Sequence, residues 1–325
     1  MSTRPATDRD TAAPSPGFVR LGVIGCGLMG GSFALALKAA GLVQQVVGYA
    51  RSPETVARAR ALGVIDEEAS SAPMAAAGAD LVLVSVPVAA TGEALQAIRP
   101  QIGPGALVMD VGSTKSDVVQ AARQTLADRL GQFVPAHPIA GKERAGVEHA
   151  SADLYRGCQV ILTPLAETDP TLVARAQALW QALGTRVRTM TPRAHDAAYA
   201  AVSHLPHLLA FAAVRALAGQ PQAADFLGLA GPGFRDFTRI AASDPDVWRD
   251  ILLANATELR AQIRHFRAAL DSFEATLDAG DAHLLRELIA EASRIRTQWA
   301  AGAYAAAPPS SDPPCTAPPS STSPR

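Results

Sequence analysis

Leu21-Gly22-Val23-Ile24-Gly25-Cys26-Gly27-Leu28-Met29-Gly30 is the stretch on which the fold turns. A short apolar run of strand type gives way at once to a glycine turn, which opens into small and apolar residues over 31–40. Strand, glycine turn and helix are the context that gives Gly-x-Gly-x-x-Gly its physical meaning. Gly25 permits a tight turn, Gly27 lets the backbone approach a pyrophosphate, and Gly30 lets the helix pack on the strand. Leu28 and Met29 open the helix, where free N–H donors and the positive dipole end face phosphate. The pattern predicts a dinucleotide-binding domain with these five residues in the cofactor site.

Downstream, residues 45–49 read as a second strand that ends in Ala50-Arg51-Ser52. An NAD-preferring site usually carries an acid here for the ribose 2′-hydroxyl, whereas an arginine suits a 2′-phosphate. Arg51 and Ser52 are therefore expected to contact the cofactor, with NADP accepted as well as NAD; the bland alternative is a loop arginine without a ligand. Residues 80–87 and 106–111 are continuous apolar runs, as in parallel strands buried on both faces. Helical stretches at 52–62 and 89–98 separate them, which argues for right-handed βαβ crossovers. The carboxyl edge of such a sheet collects ligands, and it should hold Ser85, Pro87 and Gly112-Ser113-Thr114-Lys115-Ser116. Ser113 reads either as N-cap of a helix running to about residue 130 or as a hydrogen-bond partner of a substrate hydroxyl. Lys115 either attracts a carboxylate or is solvated.

A further strand at 132–136 leads into His137, and strands at 159–163 and 185–190 flank a helix at 170–183. The character then changes: 191–217, 234–242, 246–279 and 281–299 all look helical. The expected organisation is a leader over 1–17, a Rossmann-type α/β domain over 18–190, an all-α domain over 191–301, and a Pro/Ser-rich tail over 302–325, both tails disordered.

With 325 residues, 48% of them hydrophobic, the chain can bury two cores. A net charge of −1 supplies no global field for nucleic acid or an anionic membrane. Cys26, Cys158 and Cys315 share no ligand or redox spacing, which fits a reducing, cytoplasmic setting. The first seventeen residues lack the apolar run of a secretory signal or an anchor. Residues 197–214 are apolar enough to raise a membrane span, but Ser203, His204, Pro206 and His207 interrupt them, which favours a buried helix.

Among candidate chemical groups, His137 comes first, because an imidazole at the carboxyl edge can take a proton from a hydroxyl as hydride leaves. A structural histidine is the alternative. His204 and His207, three apart, share a helix face; no third metal ligand is visible, and they read as core histidines or as donors to an anionic substrate. Arg239 is a cation in an otherwise apolar helix, suited to a buried ion pair, with Arg235 and Asp236 as neighbours, or to a clamp on a carboxylate. Trp248 reads as a core seal in preference to a pocket wall.

Four motifs in order, Gly112-Ser113-Thr114-Lys115, His137-Pro138-Ile139-Ala140-Gly141, Ser203-His204-Leu205-Pro206-His207 and Asp236-Phe237-Thr238-Arg239-Ile240-Ala241, resemble the prephenate/arogenate (cyclohexadienyl) dehydrogenase family. The resemblance runs over about 18–299, with Ser243-Asp244-Pro245 and Trp248 adding to it. It implies oxidative decarboxylation of prephenate to 4-hydroxyphenylpyruvate, or of arogenate to tyrosine, in tyrosine biosynthesis. By the same resemblance His137 polarises the ring hydroxyl, Ser113 helps hold it, and Arg239 clamps the side-chain carboxylate. His204 and His207 then line the pocket, Glu143 gates the entrance, and the helical domain forms a homodimer with the active site in the interdomain cleft. Aromatisation would drive the loss of carbon dioxide, with no metal. Ala50 departs from the acid expected of strict NAD users, and neither tail is long enough for a fused regulatory domain. Two rivals remain: a β-hydroxyacid dehydrogenase, whose second-domain lysine is missing from residues 191–300, and a non-catalytic dinucleotide sensor.

Overall fold

The computed structural model describes residues 17–141 and 144–302. The leader and tail expectations, but for Gly17 and Gly302, lie outside the described residues, as do Glu143 and Cys315. In chain order the regular elements begin with β1 (Phe18–Ile24), α1 (Leu28–Ala39), β2 (Val43–Tyr49), α2 (Pro53–Ala61), β3 (Glu67–Glu68), α3 (Ala72–Ala76) and β4 (Leu81–Val84). Next come α4 (Thr91–Ile98), β5 (Leu107–Asp110), α5 (Ser116–Thr125), β6 (Phe133–Val134), β7 (Ala136–Pro138), β8 (Gln159–Leu162), α6 (Pro170–Ala182) and β9 (Arg186–Thr189). The rest is helical: α7 (Pro192–Tyr199), α8 (Leu205–Ala218), α9 (Ala223–Gly228), α10 (Pro232–Thr238), α11 (Pro245–Ala254), α12 (Ala256–Asp278) and α13 (Ala282–Ala300).

Six parallel strands lie in the order β3-β2-β1-β4-β5-β6, so the direction of winding reverses between β1 and β4. A crevice opens at the carboxyl ends of strands flanking such a reversal. Alternate side chains of the central strands enter different cores. Leu81, Leu83, Leu107 and Met109 join Phe33 and Trp180 on one face, while Val82, Val84 and Val108 join Leu95, Ile98 and Phe133 on the other. Burial on both faces accounts for the continuous apolar runs that β4 and β5 show in sequence.

The strand expected at 132–136 is two strands in two sheets. Phe133–Val134 closes the six-stranded sheet; Ala136–Pro138 starts a second sheet, β7-β8-β9, in which β7 runs antiparallel to β8. The change occurs at Pro135, which has no N–H to continue the first ladder and whose carbonyl accepts from Thr163 N at 2.9 Å. This step carries His137 away from the first sheet. The expected helix at 246–279 is likewise interrupted, at Asn255, whose side chain is 4% exposed. β3 and α3, too short for a periodic pattern, were not expected.

The chain divides after Ile263, within α12, into two compact units. The described part of the second is the end of α12 and all of α13, joined by a turn with Gly280 at φ +63 and capped by Asp281 on Leu284 N at 2.9 Å. Leu277, Ile289 and Trp299 of this hairpin are exposed. In the first unit, Pro192–Ala218 is long and apolar enough to cross a membrane by length and composition. The expectation that it is a buried helix needs correction, because only 17% of its most apolar window is buried. What it does bury includes His195, Asp196 and His204, all hydrogen-bonded within the protein, and such groups are costly in lipid.

Candidate active site

β1 ends in a turn where Gly25 takes φ +103 and donates its N–H to Tyr49 O at 2.8 Å. A Cβ at Gly25 would collide with the carbonyl oxygen of Ser85, and one at Gly30 with that of Gly25. At Gly27, by contrast, a Cβ would meet nothing within 4 Å, so the backbone there fronts open space. Gly27 is also the N-cap of α1 and makes no side-chain cap bond, which leaves first-turn N–H groups for an anion. The result is a cavity of about 410 Å³ lined by Gly25, Gly27, Ala50, Arg51, Ser85 and Pro87 among others. These features fit a dinucleotide. Leu28 and Met29 form the helix start beside it, and Tyr155 anchors that start by donating to Met29 O at 2.7 Å. Arg51 is exposed and also lines a neighbouring cavity of about 550 Å³. Ser52 is the N-cap of α2, accepting from Thr55 N at 3.2 Å.

His137 sits on β7, 8% exposed, and its position is fixed from β5. Asp110 accepts from Ala136 N at 3.0 Å, and Lys115 Nζ pairs with Asp110 while donating to Ala136 O at 2.8 Å. Lys115 is fully buried, so it is not solvated, and the carboxylate it attracts is the internal one of Asp110. Removing either partner would leave a buried charge uncompensated, at a cost of about 3–5 kcal/mol. The ion pair therefore locks the end of one sheet to the start of the other, one residue before His137.

From α7, His195 Nε2 lies 2.8 Å from His137 Nδ1, and His195 Nδ1 lies 2.8 Å from Asp196 Oδ1. Asp196 also accepts from the main-chain N–H groups of Lys115, at 2.9 Å, and Ser116, at 2.8 Å. This carboxylate, from a helix eighty residues on, caps α5. The expectation that Ser113 caps a helix running to residue 130 is thereby corrected: α5 begins at Ser116 and ends at Thr125, and half-buried Ser113 lies in the loop before it. Tyr199, one turn further along α7, packs its ring 4.9 Å from His137 and 4.5 Å from His195. Burial first, then the nearby His195, Lys115 and His204, push the His137 imidazole well below the usual histidine value. Burial likewise lowers His195 despite the raising effect of Asp196.

A second group is built on the wide turn Ala200–His204 and on α8. His204, 1% exposed, faces Asn255, whose Nδ2 lies 3.0 Å from His204 Nδ1 and donates to Asp196 O at 2.8 Å. Burial depresses His204 to about 4. His207 Nδ1 donates to Ser203 O at 2.9 Å, and its ring stacks on Trp248 at 3.5 Å. Half-buried Trp248 thus packs against His204, His207 and Phe211 instead of sealing the core. Arg239 stands where α10 ends and is exposed, so the buried ion-pair reading is corrected; Arg235 and Asp236 are exposed as well. Its charge reaches His207, whose protonation it disfavours after the larger effect of burial. Among the described residues no cluster of three or more His, Cys, Asp or Glu could hold a metal.

The sequence reading missed His195, Asp196, Tyr199, Asn255 and Asp110. The adjacent His195-Asp196 pair at a helix start was the available cue, since a carboxylate beside an imidazole is an orienting pair wherever it is buried.

Comparison with known proteins then decides the family. Residues 33–189 match the family model described as prephenate dehydrogenase, nucleotide-binding domain, and residues 191–291 match the prephenate dehydrogenase dimerization domain. The chain belongs to the prephenate dehydrogenase family. It is 34% identical to the cyclohexadienyl dehydrogenase of Zymomonas mobilis over 86% of this chain and 95% of that one. The Aquifex aeolicus prephenate dehydrogenase, solved with hydroxyphenyl propionate and NAD+, is 36% identical with TM-score 0.81, covering 86% of this chain and 98% of that chain. Synechocystis arogenate dehydrogenase is 27% identical with TM-score 0.75, covering 86% and 100%. Membership of this family removes the β-hydroxyacid dehydrogenase rival.

Proposed function

We propose that this prephenate dehydrogenase family member oxidatively decarboxylates prephenate to 4-hydroxyphenylpyruvate for tyrosine biosynthesis. The single observation that carries the reading is His137: a buried imidazole held neutral, 8% exposed, just beyond the carboxyl edge of a sheet that carries a dinucleotide cradle. A neutral imidazole can accept the proton of the substrate's ring hydroxyl. The nicotinamide supplies the hydride acceptor for the carbon that bears this hydroxyl. As His137 takes the proton and the C–H pair departs, a carbonyl forms. The bond to the ring carboxylate then breaks, carbon dioxide leaves, its electron pair aromatises the ring, and the oxygen regains a proton from His137.

Ser113 is assigned to the hydroxyl, Arg239 to the side-chain carboxylate, and His204 and His207 to the pocket wall. The proximity of Arg239 to His207 supports grouping these last three. Glu143 as gate rests on sequence alone. Arogenate, giving tyrosine, is the second substrate of the same chemistry. Arg51, exposed at the rim of the cradle and without an acidic neighbour at Ala50, supports use of NADP as well as NAD. The functional division is a cofactor segment over 18–190 and a helical segment over 191–301. Exposed Val202, Leu229 and Leu253 on the latter support a homodimer. A cytoplasmic setting suits this chemistry.

Initial rates with prephenate and arogenate, each with NAD and NADP, test the reading. Turnover of prephenate is expected. Dinucleotide binding without turnover of either substrate would overturn it in favour of a sensor.

A further inference from the structure

Asp196 joins the two histidine groups of the candidate site to each other and to the start of α5. Its carboxylate meets His195 and the start of α5, and its main-chain carbonyl meets Asn255. Burial would raise this carboxyl, but hydrogen bonds from His195, Ser116 and Lys115 hold it below its usual range. An ionised carboxylate only accepts, so His195 must keep its proton on Nδ1. A neutral His195 then presents a lone pair on Nε2, and His137 must donate from Nδ1 across the 2.8 Å contact. The Nε2 of His137 is left with a lone pair, as a general base requires.

The other arm has the opposite outcome. Asn255 Nδ2 donates to Asp196 O, which fixes the orientation of the amide, and its second hydrogen points to His204 Nδ1 at 3.0 Å. His204 Nδ1 therefore accepts, and its proton sits on Nε2. One imidazole is set as an acceptor and the other as a donor.

We propose that Asp196 is the positioning residue of this site, setting His137 as the Nε2 base through His195 and His204 as the Nε2–H donor through Asn255. The proposal deepens the proposed function and rests on it for its kinetic arm only. The carboxylate also stabilises the imidazolium that forms when His137 takes a proton, by the orienting logic of acid–histidine pairs. The groups facing His137 are His195 and Tyr199 from α7, His204 from the wide turn, and Lys115, neutralised by Asp110. Asp196 does not face His137 itself; its negative charge acts through His195, and its substitution would remove that charge.

The first arm of the test needs no substrate. Ring ¹⁵N shifts of the full-length chain report which nitrogen is protonated; the expected forms are Nδ1–H for His137 and Nε2–H for His204, and the reverse forms would overturn the proposal. The second arm is Asp196→Asn with prephenate. A kcat about a hundredfold lower, a KM within about threefold, and an acid limb of kcat/KM moved to lower pH are expected. An unchanged kcat and an unmoved limb in folded protein would refute it. Should that variant fail to fold, His195→Gln, which keeps an acceptor for His137, is expected to retain more than tenfold the kcat of His195→Phe, and equal rates would refute it. Correct tautomers in a chain that turns over no prephenate would sink the function and leave the positioning intact.

Discussion

Acidification should destabilise this protein through His204, and the size of the effect follows from its surroundings. An unfolded histidine titrates near 6.5, whereas burial depresses folded His204 to about 4. A folded value below the unfolded one means that the unfolded chain binds more protons between the two, so stability is full above about pH 6.5 and falls toward pH 4. At about pH 5 the unfolded imidazole is almost wholly protonated and the folded one is about one-tenth protonated, which removes about 2 kcal/mol relative to about pH 7.5. His204 is 1% exposed, so solvent screening does not discount this figure. The assay is urea unfolding at both pH values, at fixed protein concentration, for the wild type and His204→Gln. The glutamine keeps an acceptor for Asn255 Nδ2 but does not titrate. His137 and His195, also depressed by burial, lower the stability of both proteins, and the difference between them isolates His204. The wild type should lose about 2 kcal/mol more than the variant. Equal losses would refute the reasoning.

Arg239→Ala should raise the KM for prephenate about 10- to 100-fold with little change in kcat, the worth of one charge-assisted contact to a carboxylate. A steady-state comparison measures it, and an unchanged KM would remove Arg239 from the pocket. Arg51→Ala should weaken NADP about tenfold and leave NAD unaffected, as read by dinucleotide titration; parallel changes in both would rule out a 2′-phosphate contact. Gly25→Ala should abolish binding of both dinucleotides, because the turn needs φ +103 and the added Cβ would strike the Ser85 carbonyl. Binding at wild-type strength would mean that the turn does not form the cradle.

The dinucleotide half was legible because its physics is local. Gly25 and Gly30 mark a turn with no room for a Cβ at either position, and the runs at β4 and β5 are apolar because both faces are covered. The second sheet was not legible, since the change of sheet at Pro135 is decided by pairing with Thr163, far along the chain. The cap of α5 was misread for the same reason: Ser113 has the right chemistry and spacing, but Asp196 takes the position from another helix. Arg239 looked buried because its neighbours in sequence are apolar, while Phe237 beside it is itself exposed. His137, His204 and His207 stood out by residue type. The hydrogen-bond partners of His137 and His204, namely His195 with Asp196 behind it, and Asn255, are ordinary residues whose roles exist only once the fold joins them.

The most direct test is the reaction itself: reduced dinucleotide and carbon dioxide measured together from prephenate, for the wild type and for His137→Asn. The account predicts equal amounts of the two products from the wild type. It also predicts a kcat lower by about 10²- to 10⁴-fold in the variant at nearly unchanged KM. A variant that turns over at the wild-type rate, or reduced dinucleotide formed without carbon dioxide, would contradict it.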